Sequence, residues 1–208
     1  MVDFEYLEKG IVGLTNAHPL GTMSGHLGAA VAAGYFIGED HAELPLAVTT
    51  GIESELDRVI DGEEAIWFDV KKTGTQPADL FKMGPNQSSV PKRIQDIATA
   101  LNGNIGTLRQ SGHNVIFASI AIRALRSHDE YATPWAIDGI CKLIRKFNDV
   151  SSGRGYFGKK TGWKTADKVE VPATARSQPY RSIQEMIDLT VLELIESGGL
   201  KKQGFGGF

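Results

Sequence analysis

The tripeptide Ser-Gly-His occurs twice, at 24–26 and at 111–113, each time heading an apolar run: "SGHLGAAVAAGYFI" and "SGHNVIFASIAIRAL". Imidazole titrates near neutrality, so these are the first residues to consider for proton transfer or metal ligation. With the serine as helix cap, His26 and His113 fall in the first turn, at the positive end of the helix dipole. That position disfavours imidazolium and leaves a neutral ring able to take a proton, ligate a metal or polarise a carbonyl. His18, in "NAHPLG", has no counterpart in the second copy, where Ile105 or Gly106 stands, and is a third catalytic candidate. A structural role competes with this one: a first-turn ring can simply tie itself to a loop carbonyl and fix the same joint twice. His41 and His128 fall in polar linkers and are expected to face water.

No cofactor is expected from the motifs. Zinc needs three or four ligands in tetrahedral array, and the chain has no H-x-x-x-H or C-x-x-C pair. A zinc site is open only if folding converges His18, His26 and His113 with a carboxylate such as Asp138. Ser24 and Ser111 are outside any G-x-S-x-G elbow. Cys141, beside Ile140 in an amphipathic stretch, reads as core.

A second repeated feature is Lys-Lys-Thr-Gly, at 71–74 and 159–162. Lys72 and Lys160 are the substrate-binding candidates there, against the plainer reading of a solvated turn. The second copy, "GRGYFGKKTGWK", adds Arg154, Tyr156, Phe157 and Trp163, and basic plus aromatic residues on a loop favour ligand contact. "GKKTG" lacks the spacing of a phosphate-binding loop.

The elements that carry these residues repeat too. His26 and His113 are 87 residues apart, and the Gly-Ile pairs at 51–52 and 139–140 and the lysine motifs are 88 apart. "IQDIATAL" at Ile94 has a partial partner in "IQEMIDLTVLELI" at Ile183. We therefore expect one all-α domain over 1–208, built as a tandem helical repeat of about 88 residues. The units run about 1–89, 90–178 and a partial 179–208, forming an incomplete array like an α/α toroid. Each full unit reads as an amphipathic helix, a Ser-Gly-His helix apolar all round, and a third helix opened by proline. The inserts, 62–90 and 150–180, read as loops or short hairpins at the entrance to a central cavity. A helix apolar on every side must be buried on every side. Thr133 before Pro134 is a good cap, whereas Leu44 before Pro45 is not. The third copy ends before any histidine helix, which predicts either a missing C-terminal portion or a homo-oligomer covering the open end.

Composition narrows the function. Of 208 residues, 41% are hydrophobic and 23% charged, as in ordinary globular proteins. A net charge of −3 supplies no basic field for nucleic acid. No apolar run is long enough for a membrane span. One cysteine and an acidic N-terminus without signal-peptide character point to the cytoplasm. The function expected is an enzyme of lyase, hydrolase or isomerase type, acting on a small polar organic or carbohydrate-like substrate. The alternative is a non-catalytic helical scaffold that binds a protein partner through its open ends.

Overall fold

The computed structural model describes residues 1–63, 70–104, 106–156 and 159–169, together with eight positions between 182 and 195. Among them are eight α-helices: α1 (Glu5–Asn16), α2 (Gly25–Asp40), α3 (Leu46–Ile60), α4 (Val70–Thr73), α5 (Pro77–Leu80), α6 (Gln95–Asn102), α7 (His113–Ser127) and α8 (Pro134–Arg145). Two three-residue strands, β1 (Arg154–Tyr156) and β2 (Trp163–Thr165), form an antiparallel hairpin. The chain is mostly helical, and no described helix is long and apolar enough to cross a membrane. Contacts group it into two compact units, Met1–Val150 and Ser151–Phe208, so α1 to α8 all belong to the first. Ile183, where the third copy would open, lies outside the described residues.

In the first unit α1 packs along α2 and α8, α6 packs on α7 and α8, and α2 meets α3 and α7. The α1–α2 crossing is set by small residues. A Cβ on Gly28 would stand 2.3 Å from the Leu14 nitrogen, and one on Gly13 would stand 2.8 Å from the Gly28 Cα. The two backbones are therefore in direct contact, and Ile11 and Leu14 of α1 and Leu27 and Val31 of α2 are buried. The α1–α8 contact uses the same device: a Cβ on Gly139 would meet the Thr15 carbonyl oxygen at 2.5 Å. From α8 and the turn after it, Ile137, Ile140, Leu143, Ile144 and Phe147 make a fully buried stripe, with Cys141 among them.

The sequence anticipates α2 better than α7. Helix α2 is buried on most of its circumference, although Ala30 and Ile37 reach solvent. Helix α7 is amphipathic, with Phe117, Ala118, Ala121, Ala124 and Leu125 inside and Val115, Ile116, Ser119 and Arg123 outside. An apolar side chain at Val115 or Ile116 is compatible with either environment, which is why composition alone overstated its burial. Thr133 does cap α8, its Oγ1 accepting from the Ala136 amide at 3.2 Å, and Pro45 stands before α3 with no side-chain cap. The two Lys-Lys-Thr-Gly segments differ. Lys71 and Lys72 belong to the single-turn α4, which Gly74 ends with φ +70°, whereas Lys159 and Lys160 lie in the turn between β1 and β2.

Candidate functional site

The two histidines meet. Their ring centroids are 4.6 Å apart with the planes inclined by 55°. Each occupies the first turn of its helix, α2 or α7, and each bonds the carbonyl three residues back. His26 Nδ1–H donates to the Met23 oxygen at 2.7 Å, and His113 Nδ1–H donates to the Gln110 oxygen. A carbonyl only accepts, so both rings carry their proton on Nδ1, and in the neutral form Nε2 of each is the basic atom. Phe117, one turn beyond His113, backs the pair edge-on, at 5.2 Å from His26 and 5.9 Å from His113. Phe147 supports Phe117 in turn.

The short turns that precede the two helices are joined as well. Thr22 Oγ1 donates to Gln110 Oε1 at 2.6 Å, and Thr22 is buried. The second turn runs through three consecutive residues of positive φ: Gln110 (38°), Ser111 (53°) and Gly112 (88°). For Gln110 and Ser111 that conformation costs about 1–3 kcal/mol each, and such strain persists only where surrounding contacts over-determine it. Here the Thr22 hydroxyl and the His113 ring both hold Gln110, while the Gly112 amide bonds back to the Arg109 carbonyl at 2.9 Å.

The repeated Ser and Gly do different work in the two copies. Neither serine caps its helix. Ser24 is fully buried, its Oγ lying 2.8 Å from the Ala17 oxygen and 2.6 Å from the Gly21 oxygen, so it ties the end of α1 to the start of α2. Ser111 is exposed. Gly25 has ordinary helical angles but no room, because a Cβ there would meet the Phe117 ring at 2.7 and 2.8 Å. Gly112 has open space around it and a left-handed conformation that side chains resist.

Electrostatics favour a neutral His26. Burial pushes its pKa below the ordinary value, the Met23 carbonyl partly opposes this, and the neighbouring His113 adds to the lowering. His18 follows α1 and is half-buried. Burial, then the charges of Lys142 and Lys146, lowers its pKa. His41 is exposed beside Glu43, as expected. His128 is not a solvent-facing linker residue. It is half-buried, with Nε2 3.1 Å from Glu39 Oε1 and its ring 4.9 Å from that of Phe4, because the chain beyond α7 folds back on α1 and α2.

Two adjacent imidazoles supply two ligands, fewer than a tetrahedral metal centre requires. Among the described residues no group of three or more His, Cys, Asp or Glu could hold a metal. Asp138 instead pairs with Arg93 at 2.7 Å. Cys141 is buried, and burial raises its thiol pKa.

Lys72 belongs to the first unit and is exposed. Arg154, Tyr156, Lys160 and Trp163 belong to the second. There Tyr156 pairs with Trp163 in the strand register, and the Arg154 guanidinium lies 5.7 Å from the Trp163 ring centre, within cation–π range. Phe157 lies outside the described residues. Sequence reasoning missed Thr22, Gln110 and Phe117. Phe117 was legible as the residue four beyond His113 on the same helical face. Nothing in the residue types marked the Thr22–Gln110 bond. Comparison with family models, curated proteins and solved structures returned no match for this chain.

Proposed function

We propose that this protein is an enzyme that uses His26 and His113 as an acid–base pair on a small polar organic substrate. The observation that carries the reading is the meeting of two imidazoles 87 residues apart, each with its proton assigned to Nδ1 by a backbone carbonyl. Such a pair can take a proton at one Nε2 and share or return it at the other, as eliminations, isomerisations and hydrolyses require. The strained turn at Gln110–Ser111 supports this, since stored strain gathers at working sites. We further propose that the chain is a tandem duplication within a toroid-like helical array. The two His helices both follow a short turn, and both end in a histidine whose amide bonds the carbonyl four residues back.

A thermal-shift screen of polyols, sugars and hydroxy acids tests the catalytic reading. Stabilisation that disappears in His26→Gln and His113→Gln, both still folded, supports it. Ligands that stabilise the variants as well as the parent, or no ligand at all together with variants that unfold, would sink it. The scaffold reading rests on another observation: α3 leaves Leu46 80% and Val48 44% exposed. It predicts self-association or partner capture that a charge at Val48 abolishes and His26→Gln leaves unchanged.

A further inference from the structure

A second site lies on the first unit, in a cleft of about 250 Å³ that the histidines do not line. Its floor is Ile11 and Val12 of α1 with Ala136 of α8, and one wall is Trp135. Against Trp135 runs a strap, residues 83–87, tied down at both ends. Asn16 Nδ2 donates to the Leu80 and Lys82 carbonyls, both at 2.9 Å. At the strap's far end the Trp135 amide donates to Gln87 Oε1 at 2.9 Å, and just past it the Val90 amide donates to the Ala132 carbonyl at 2.8 Å. Gly84 lies directly against the indole, where an added Cβ would stand 2.3 Å from a ring carbon. The cleft is therefore built and braced.

Its charge is of one sign. Among the described residues Glu8 and Glu130 line it and no lysine, arginine or histidine does. Burial, then the charges of Glu8 and Glu130, raise the Tyr131 pKa, and all three residues line the cleft. An indole wall beside carboxylates over an apolar floor is the chemistry that recognises an organic cation with a short alkyl stem. We propose that this cleft binds a small amine or guanidinium compound, its stem on Ile11 and Val12, its charged head between Trp135 and the carboxylates of Glu8 and Glu130. The volume lies below the roughly 300–1,000 Å³ of sites for drug-sized ligands and suits a compound of a few heavy atoms, so the proposal commits to a free small molecule.

Indole fluorescence tests this on the full chain at neutral pH, using n-butylguanidinium, n-butylammonium, butyrate and a blocked Gly-Arg-Gly peptide as probes. Both cations should give a saturable change that is lost in Trp135→Phe. Their binding should weaken by about tenfold or more in the Glu8→Gln, Glu130→Gln double variant, checked as folded by circular dichroism. Butyrate should give no response, the peptide should bind about tenfold more weakly, and His26→Gln should leave cation binding unchanged. An absent cation response, an equal response to butyrate, undiminished binding by the double variant, or peptide binding as tight as butylguanidinium overturns the proposal.

Discussion

The two glycines of the repeated tripeptide offer a test in which similar substitutions fail for different reasons. In Gly25→Ala the new methyl would lie 2.7 and 2.8 Å from two Phe117 ring carbons and 3.0 Å from a Leu143 methyl. Carbon atoms settle at about 3.5–4.0 Å, so the ring must retreat by about 1 Å. Phe117 is 1% exposed and backed by Phe147, which leaves it little room. Overpacking of this kind costs about 1–3 kcal/mol, and the better helix propensity of alanine returns about 0.5–1 kcal/mol. The mid-values leave a net loss of about 1.3 kcal/mol, which lowers the urea midpoint by about 0.6 M at a denaturant slope of about 2 kcal/mol per M. In Gly112→Ala nothing crowds the methyl, but φ is +88°, and the left-handed conformation costs about 1–2 kcal/mol. Phe117→Leu distinguishes the two cases. Combined with Gly25→Ala it should recover about 1 kcal/mol in a double-mutant cycle, and combined with Gly112→Ala it should recover nothing. Gly112→Asn should be milder than Gly112→Ala, since asparagine tolerates that region. Equilibrium urea unfolding followed by circular dichroism measures all of these. A Gly25→Ala variant as stable as the parent, or a coupling of zero with Phe117, refutes the steric argument, and a neutral Gly112→Ala refutes the conformational one.

The serines should part in the same way. Ser24→Ala leaves the Ala17 and Gly21 carbonyls short of a buried donor and should cost about 1–3 kcal/mol, whereas the exposed Ser111→Gly should be neutral or stabilising because its φ is +53°. Equal losses in urea midpoint would contradict this. Gly28→Ala drives backbone against backbone and should destabilise more than Gly25→Ala, with a scan showing the lower Tm. On acidification the depressed pKa of His26 has a definite sign. The unfolded imidazole takes its proton near pH 6.5 while the folded one still resists. Its stabilisation is complete above that pH, declines as pH falls below it, and levels off under the folded pKa. His18 acts in the same direction. Urea midpoints between pH 7.5 and 5 should therefore fall more steeply for the parent than for His26→Gln, and identical slopes would remove the burial argument.

The residue pattern determined a good deal of this protein without coordinates. Apolar periodicity placed helices over α2, α7 and α8, Thr133 before Pro134 marked a true cap, and the repeated tripeptide picked out the two rings that do meet. These are local or repeated signals, and short-range sterics and hydrogen bonding act on neighbours in the chain. What neighbours could not reveal is how identical tripeptides come to differ. Ser24 is buried because α1 returns its Ala17 carbonyl to that spot, while Ser111 has no such partner and stays in water. Gly25 is crowded because α7 delivers Phe117, and Gln110 is held strained because Thr22, from the turn before α2, reaches across to it. The same holds for His128, drawn inward by Phe4 and Glu39, and for the carboxylate-lined cleft, whose walls come from α1, the 83–87 strap and the start of α8. Each of these is a contact between groups distant in the chain. It depends on which surfaces the packed backbones bring within a few ångströms, and only the tertiary structure decides that.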